Sequence, residues 1–402
     1  MLDLKLIQIA ASRIEGVVAK TPFAFAPLLS QMVQAEVFVK KENLQTTGAF
    51  KLRGAFNKIA SLSDTQRAKG IIAASAGNHA QGVAFSAKHF GASAVIVMPE
   101  STPITKINGV SSYGAEVVLA GANYDEAYSF AIEKAKNENL EFIHPFEDEE
   151  VIAGQGTVAL EMLEERDLDV IVVPVGGGGL ISGIALAAKS LNPKIKIIGV
   201  SAVGAPAMKL SFESKKAIDT TSVRTIADGI AVRDTSEITL KHILDNVDEF
   251  LSVDDEEIAA AILYLLEKQK LVVEGAGAVG IAALMHDKIK GLDGLKVGVV
   301  LSGGNIDVTM LNVIIEKGLL KSSRKMKLRV TLVDKPGSLM KLTELLQSLY
   351  ANIVHIAYDR TSTSLDYGDA NVTIHLETKG KKHQDEIRSL LHEHGYLSSE
   401  ME

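Results

Sequence analysis

The run Gly176-Gly177-Gly178-Gly179 has the clearest chemical meaning in this sequence. It follows an apolar segment at 170–175, typical of a buried strand, and precedes an apolar helical pattern that begins near Leu180. Consecutive glycines let successive backbone N–H groups point at one anion, and the N-terminus of the following helix adds its dipole. The sequence therefore predicts a phosphate or carboxylate site. The alternative is a tight turn without a ligand, but four consecutive glycines lose much conformational entropy on folding, which a turn alone does not require.

The surroundings of this loop exclude the commonest nucleotide motifs. The G-x-G-x-x-G spacing of dinucleotide-binding proteins is missing, and Ser201 ends the next strand, where a ribose-binding carboxylate is expected. The chain also lacks the G-x-x-x-x-G-K-[ST] pattern of a P-loop. A phosphate carried by another kind of cofactor remains as the expected ligand.

A second candidate is Lys51, in the segment TTGAFKLRGA at 46–55, at the apparent start of a helix. The dipole at a helix N-terminus repels a cation, so the pKa of this lysine should be lowered. A lowered pKa favours the neutral, nucleophilic amine. On spacing alone, a solvent-exposed helical lysine is the more common outcome.

Two further loops carry polar residues directly after predicted strands. The sequence SAGNHAQG begins at Ser75, and SGGN begins at Ser302. Ser, Gly and Asn at a strand-to-helix junction offer N–H and hydroxyl donors to an anion; the alternative is helix capping by Ser75 or Asn78. On its own, His79 is more simply a structural histidine. Because the carboxyl ends of parallel strands lie at one sheet edge, we expect these loops to gather there.

Up to about residue 320, short β-rich runs alternate with helical patterns, which predicts an α/β fold with a mostly parallel sheet. Several runs are nearly continuous Val and Ile, as expected of strands that are covered on both faces. The predicted strands are 36–40, 70–74, 94–98, 116–119, 170–175, 195–200 and 296–301.

The chain changes character near residue 321, where a basic and polar stretch predicts a linker at 321–326. Residues 327–402 follow the order β-α-β-β-α with a short final strand after Gly395, which fits a ferredoxin-like α+β domain. We therefore expect one domain at 1–320, the linker, and a second domain at 327–402.

Composition narrows the functional class. The 402 residues include no Cys, which excludes disulfides, Cys-ligated metals and a Cys nucleophile, and the net charge of −8 disfavours nucleic-acid binding. Charged residues interrupt the N-terminal segment, so we expect no signal peptide. The uncharged stretch 170–188 contains the glycine run, whose backbone a bilayer would leave unsatisfied. We expect a soluble, cytoplasmic protein without nucleic-acid or membrane partners.

Taken in order, these motifs resemble those of the fold-type II pyridoxal-phosphate enzymes, and of the threonine/serine dehydratases in particular. The resemblance covers most of residues 1–317 and rests on TGAFKLRGA, SAGNHAQG, PVGGGGLISG, VEGAGA and LSGGN. It implies a catalytic domain of two subdomains with mostly parallel sheets, which binds pyridoxal 5'-phosphate. It further implies deamination of L-threonine and L-serine by β-elimination to 2-oxobutanoate or pyruvate and ammonia.

The resemblance also implies roles for single residues. Lys51 would hold the cofactor as a Schiff base and then act as general base, Asn78 would face the ring 3-oxygen, and Ser302 the pyridine nitrogen. A neutral hydroxyl there would weaken the ring as an electron sink and favour β-elimination over transamination. The implied cofactor-binding residues are Lys51, Phe50, Asn78, Gly176, Gly177, Gly178, Gly179, Leu180 and Ser302. The implied substrate-binding residues are Ser75, Ala76, Gly77, Asn78 and His79.

Residues 327 to about 396 resemble an ACT domain, a regulatory module that commonly binds amino acids. The match is strongest at the first strand-to-helix turn, which implies an effector site at Asp334, Pro336, Gly337, Ser338 and Leu339. An exposed sheet edge favours pairing of such modules, so we expect a homodimer or homotetramer. The alternative is an oligomerisation module without a ligand.

Three other functions share parts of this pattern. Serine racemases carry a Ser immediately before the Gly of the carboxylate loop, where this chain has Ala76, and a metal-binding Glu and Asp where residues 201–207 have no carboxylate. We therefore expect no such metal site. β-Replacement synthases usually open this loop with Thr-Ser-Gly-Asn. A non-catalytic amino-acid sensor would have no use for Lys51.

Overall fold

The apolar runs of the sequence form parallel strands between helices. In the computed structural model, which describes residues 2–401, they belong to a compact unit with the bounds Met1–Asp307. Its strands are β1 (Phe23–Phe25), β2 (Glu36–Lys40), β3 (Ile71–Ala74), β4 (Ala94–Met98), β5 (Glu116–Leu119), β6 (Glu141–Phe142), β7 (Val170–Pro174), β8 (Lys196–Ala202), β9 (Glu249–Val253) and β10 (Lys296–Val300).

Helices alternate with these strands along the chain. They are α1 (Leu4–Ile14), α2 (Pro27–Val33), α3 (Lys51–Ser61), α4 (Asp64–Ala68), α5 (Asn78–His89), α6 (Ile104–Ser111), α7 (Tyr124–Glu138), α8 (Glu149–Glu165), α9 (Gly179–Leu191), α10 (Ala207–Ser214), α11 (Glu237–Asn246), α12 (Asp255–Tyr264) and α13 (Gly275–Met285). Short 3-10 helices span Glu42–Leu44 and Asp228–Ile230, and one π-helical turn spans Leu265–Gln269.

Two sheets make up this unit. Six strands pair in the order β1-β2-β10-β7-β8-β9, where only β1 is antiparallel to its neighbour, and four parallel strands pair in the order β5-β4-β3-β6. In β3, Ile71 and Ala73 face one apolar cluster, whereas Ile72 and Ala74 face another. The strands are thus covered on both faces, as near-continuous apolar runs require. The predicted α/β fold class with mostly parallel sheets is confirmed.

Glycines let helix α8 pack closely against both α3 and α9. A Cβ atom on Gly154 of α8 would stand 2.5 Å from the carbonyl oxygen of Arg53 in α3. A Cβ atom on Gly183 of α9 would stand 2.6 Å from the backbone nitrogen of Gly156 in α8. Since α3 begins at Lys51 and α9 begins at Gly179, this packing sets the separation of two predicted site segments.

A buried ionic network fixes α3 and α8 to the large sheet. Arg53 lies 2.8 Å from Glu42 and 2.6 Å from Glu161, and Lys40 lies 2.5 Å from Glu161. The side chains of Arg53, Glu42 and Lys40 are fully buried. Burial opposes ionisation of Glu42, but the Arg53 guanidinium outweighs it and holds the pKa of that carboxyl below its usual range. Loss of one partner would leave a buried charge without compensation.

The C-terminal unit, Val308–Glu402, is built around a four-stranded antiparallel sheet. Its elements are α14 (Val308–Lys321), β11 (Lys325–Val333), α15 (Ser338–Ser348), β12 (Asn352–Asp359), β13 (Asp369–Glu377), α16 (Lys381–Glu393) and β14 (Leu397–Glu400). The strands pair in the order β12-β13-β11-β14. Alternate residues of β11, from Met326 to Leu332, pack against α15 and α16. This arrangement fits the predicted ferredoxin-like domain.

The residues predicted as a linker, 321–326, are instead the end of α14, a short turn and the start of β11. The units divide between Asp307 and Val308, rather than at residue 320. The Nζ atom of Lys325 lies 2.6 Å from the carboxylate of Glu316, and Ile314 is buried, so α14 belongs with the C-terminal sheet. In sequence, the basic end of this helix is indistinguishable from a polar linker.

Within residues 2–401, no helix combines the length and the apolar character needed to cross a membrane. The uncharged stretch 170–188 is divided between strand β7 and helix α9 by the glycine loop. The prediction of a strand, a loop and a helix for this stretch is confirmed.

We expect Gly154→Ala to disturb the packing of α3 against α8. The new methyl group would have to displace the backbone of Arg53 rather than a flexible side chain, and such overpacking costs about 1–3 kcal/mol. Thermal unfolding should therefore show a lower Tm than the wild type.

The matched control for this variant is Gly109→Ala. Gly109 is also helical, and only the side chain of Gln81, at 3.9 Å, lies near its Cβ position. This variant should unfold at the wild-type temperature or slightly above it, because Ala is the better helix former. Equal Tm values for the two variants would contradict the packing account.

Candidate active site

Hydrogen bonds gather three of the predicted site segments. Ala49 forms a β-bridge with Gly303, and the N–H of Phe50 donates to the carbonyl oxygen of Ser302 at 3.0 Å. The side-chain amide of Asn305 donates to Asn78 Oδ1 at 2.8 Å and to the carbonyl oxygen of Thr47 at 2.9 Å. The segments at 46–51, 75–79 and 302–305 therefore lie together. They do not share one sheet edge as expected, because β3, which precedes residues 75–79, belongs to the four-stranded sheet, whereas β2 and β10 belong to the six-stranded one.

Lys51 is the first residue of helix α3, and its amine is desolvated. Its Nζ atom donates to the carbonyl oxygen of Pro145 at 2.8 Å and lies 5.4 Å from the centroid of the Phe50 ring. Burial lowers the pKa of Lys51 to about 8, against the opposing effect of the Glu274 carboxylate. The sequence argument relied on the helix dipole, whereas desolvation is the main cause. The result is an amine able to attack a carbonyl carbon near neutral pH.

The glycine loop at 176–179 is tightly packed on its outer side. Gly178 has a φ of +88°, which other residues rarely adopt. A Cβ on Gly177 would stand 2.6 Å from the ring of Phe146, and the hydroxyl of Thr239 donates to the carbonyl oxygen of Gly177 at 2.8 Å. The first N–H groups of α9, including that of Leu180, have no intrahelical partner and suit an anion.

The segment of Pro145 and Phe146 connects this loop to Lys51. The carbonyl oxygen of Pro145 accepts the bond from the Lys51 amine, while Phe146 occupies the space where a Cβ atom on Gly177 or Gly179 would stand, 2.6 Å and 3.0 Å from it. One small molecule could therefore place a phosphate at the loop and a carbonyl carbon at the amine. A phosphorylated aldehyde fits this pair of groups.

The loop at 75–77 borders open space. The hydroxyl of Ser75 accepts a hydrogen bond from the N–H of Gly77 at 3.2 Å, and no atom lies within 4 Å of the Cβ position of Gly77. Ala76, between them, is partly buried. Backbone N–H groups at the start of helix α5 can bind a carboxylate at this place.

The side chain of His79 is occupied within the protein. Its Nε2 atom lies 2.9 Å from the carbonyl oxygen of Ile143 and must donate to it, so Nδ1 carries the lone pair and has no partner among the described residues. Burial lowers the pKa of His79 to about 3, and the charge of Lys51 acts in the same direction. A neutral imidazole with its donor used can contribute to a carboxylate site only through its backbone N–H.

Asn78 contacts a residue that the sequence reasoning did not single out. Its Nδ2 atom donates to Glu274 Oε1 at 2.7 Å. Burial raises the pKa of Glu274 to about 7, and the nearby carboxylate of Asp228 acts in the same direction. The only signal in the sequence was the segment VEGAGA, in which one acidic residue stands among small and apolar ones. Ser302, which lies just after strand β10, is also buried.

In the C-terminal unit, the predicted effector residues form the turn from β11 to α15. The carboxylate of Asp334 accepts a hydrogen bond from the hydroxyl of Tyr358 at 2.8 Å and lies 3.0 Å from Arg360. Gly337, with a φ of +88°, immediately precedes α15. Asp334, Pro336 and Gly337 lie in this turn, and Ser338 and Leu339 are the first residues of α15.

The described part of the chain contains no group of three or more His, Cys, Asp or Glu side chains placed to hold a metal ion.

We expect the Lys51 amine of the cofactor-free protein to become reactive at lower pH than surface lysines. Below its pKa of about 8 the neutral fraction falls about tenfold per pH unit, and above it the fraction levels off. Reductive methylation with formaldehyde, followed by peptide mass spectrometry across a pH series, measures this midpoint.

Lys288 is the internal reference for this titration. It is exposed, and its hydrogen bond to the Glu257 carboxylate raises its pKa above the ordinary lysine value. Its midpoint should lie well above that of Lys51. Coinciding midpoints would refute the desolvation of Lys51.

Comparison with known proteins places this chain in a family. The model described as "Pyridoxal-phosphate dependent enzyme" matches residues 14–303. The chain is 46% identical to L-threonine ammonia-lyase of Thermotoga maritima over 397 residues, which cover 98% of each chain.

Solved structures agree with this placement. Maize serine racemase superimposes with a TM-score of 0.75 at 37% identity, covering 80% of this chain and 98% of that one. The processed form of threonine deaminase isoform 2 from Solanum lycopersicum gives a TM-score of 0.74 at 36% identity, covering 79% and 88%. The desolvated lysine, the glycine loop and these matches agree, and the chain belongs to the family of pyridoxal-phosphate dependent enzymes.

Proposed function

We propose that this protein is an L-threonine ammonia-lyase that deaminates L-threonine, and also L-serine, by β-elimination. The products are 2-oxobutanoate or pyruvate, with ammonia. The observation that carries the proposal is the link from the Lys51 amine through Pro145 and Phe146 to the glycine loop. The named activity of the near full-length relative supports the choice of reaction.

The residues of the site fit pyridoxal 5'-phosphate. The loop at 176–179 and the first turn of α9 would hold its phosphate, and Lys51 its aldehyde carbon. Asn78 would face the ring oxygen and Ser302 the ring nitrogen, with Phe50 beside them. When bound, the cofactor supplies the electron sink that stabilises negative charge at the substrate Cα.

Lys51 would move the proton in this reaction. Once displaced by the substrate amine, a neutral Lys51 can remove the Cα proton, because a pKa of about 8 lies close to the working pH. The N–H groups of the loop at 75–79 would hold the substrate carboxylate and so orient the Cα–H bond toward that amine. Loss of the proton and of the β-hydroxyl as water leaves an enamine, which water hydrolyses to the 2-oxo acid and ammonia.

Racemisation is the second candidate, because a serine racemase is among the similar structures. That reaction needs a proton donor on the face of Cα opposite the lysine. Ala76 occupies the loop position where racemases carry a serine, and a methyl group cannot exchange a proton. The side chain at this position therefore favours elimination over racemisation.

The direct test is an assay of the purified protein with pyridoxal 5'-phosphate. We expect 2-oxobutanoate from L-threonine, pyruvate from L-serine, and negligible D-serine by chiral analysis. Lys51→Ala should lose several orders of magnitude in turnover, since one residue is both covalent anchor and base. The exposed-lysine variant Lys88→Ala is the control and should keep wild-type turnover. Wild-type turnover by Lys51→Ala would refute the assignment, as would D-serine formed as fast as pyruvate.

The C-terminal unit is proposed to be an ACT-type regulatory domain that binds an amino acid such as isoleucine or valine. The turn Asp334, Pro336, Gly337, Ser338 and Leu339 offers the N-terminus of α15 to an amino-acid carboxylate. Strand β12 is a sheet edge whose Ile356 and Tyr358 side chains are exposed. Pairing of two such edges would give a homodimer or homotetramer. The cytoplasmic location remains a prediction.

Regulation is tested by steady-state kinetics of the full chain with and without isoleucine and valine. We expect a change in threonine affinity or turnover that corresponds to about 1–3 kcal/mol of coupling. Deletion of residues 308–402, the whole C-terminal unit, should leave cofactor binding intact and abolish the response. If no amino acid alters the kinetics of the full chain, the domain is structural only.

A further inference from the structure

Glu274 is a buried carboxyl within the site that the chemistry above does not use. It is 4% exposed and lies just before helix α13, where its N–H donates to the carbonyl oxygen of Gly303 at 3.0 Å. Glycines make room for it on two sides. A Cβ on Gly303 would collide with Glu274 Oε1, and one on Gly229 would stand 3.3 Å from the same atom. Side chains at positions 303 and 229 would therefore displace this carboxyl.

The nitrogen and the oxygen of the Asn78 side-chain amide each form a hydrogen bond, one with an acceptor and the other with a donor. Glu274 Oε1 accepts from Asn78 Nδ2 at 2.7 Å, and Asn305 Nδ2 donates to Asn78 Oδ1 at 2.8 Å. Asn305 is itself held by the carbonyl oxygen of Thr47 at 2.9 Å. An acceptor on one side and a donor on the other allow only one orientation of the amide. One N–H of Nδ2 is left free of Glu274.

We propose that Glu274 is a positioning residue that holds the Asn78 amide so that its second N–H faces the cofactor ring. The inference rests on the proposed function in one respect: the cofactor is taken to bind between Lys51 and the glycine loop. In the opposite orientation of the amide, an oxygen would face the ring oxygen and repel it. An acceptor at position 274 is therefore needed for Asn78 to bind the cofactor.

The acceptor, rather than the negative charge, is the property that this role requires. Two charged groups act on Glu274: Asp228, in the 3-10 helix Asp228–Ile230, and Lys106 on α6. The charge of Glu274 acts in turn on Lys51. Burial and Asp228 favour the protonated carboxyl, which still offers an oxygen to Asn78. Gln keeps an acceptor oxygen at this position without charge. Leu has a similar volume and no acceptor.

Equilibrium binding of pyridoxal 5'-phosphate to the cofactor-free full chain separates these cases. We expect Glu274→Leu to raise the Kd at least about tenfold, as loss of a buried acceptor implies, and Glu274→Gln to stay within about threefold of wild type. Asn78→Ala should show a loss similar to that of Glu274→Leu. The double variant should lose little more than either single one, because both act through the same contact.

Thermal unfolding of each cofactor-free variant shows whether it is folded. If Glu274→Leu does not fold, Glu274→Asp replaces it, since the shorter side chain withdraws the carboxyl from Asn78 and should also weaken binding. Wild-type affinity in a folded Leu or Asp variant would overturn the proposal. So would losses that multiply in the double variant, or a Gln variant as impaired as Leu. Threonine turnover by the wild type is scored separately, so failure of the proposed function would be seen independently.

Discussion

The close packing of α3, α8 and α9 is the constraint on which the site depends. Gly154 and Gly183 allow backbone to approach backbone at positions where any side chain would intervene. Because α3 starts at Lys51 and α9 starts at the glycine loop, the distance between amine and anion site is set by helix packing rather than by loops. The buried pairs of Arg53 with Glu42 and Glu161 hold the same helices from the side of the sheet. Stability and function are thus linked through α8.

Burial acts in opposite directions on the two central ionisable groups. It lowers the pKa of the Lys51 amine and raises that of the Glu274 carboxyl, so both groups are shifted toward their neutral forms. A neutral amine is the form that can bond to an aldehyde or accept a proton from carbon. The Glu274 carboxyl, with its pKa raised to about 7, keeps an acceptor oxygen beside Asn78 in either protonation state. The low dielectric of the site therefore favours the neutral forms of both residues.

The sequence was most informative where backbone geometry restricts the residue type. The glycine run at 176–179, the helix start at Lys51 and the loop at 75–79 could each be identified because glycines and small polar residues at strand ends have few other uses. The parallel sheets followed from apolar runs, and the last domain from its strand and helix order. The spacing within any one segment did not show that these segments form one site. That prediction came from the resemblance of five motifs, taken in order, to those of a known family.

Other features were not readable from the sequence, for physical reasons. Glu274 becomes important only because α13 places it beside Asn78, and an acidic residue in an apolar segment does not reveal its partner. For His79 the sequence favoured a structural role but could not identify its partner, the carbonyl oxygen of Ile143. The sequence predicted a boundary near residue 320 because the basic end of α14 resembles a polar linker, whereas Glu316 of this helix pairs with Lys325. The roles of Glu274 and His79 depend on contacts between segments far apart in sequence. The end of α14 was missed because its polar and basic residues are also typical of linkers.

The central claim, that Lys51 and the glycine loop hold one phosphorylated aldehyde between them, has a direct chemical measurement. Borohydride reduction of the protein loaded with pyridoxal 5'-phosphate fixes the cofactor to whichever lysine bears it, and peptide mass spectrometry identifies that lysine. The account predicts one cofactor per chain, attached to Lys51. Attachment to any other lysine, or no attachment, would contradict it.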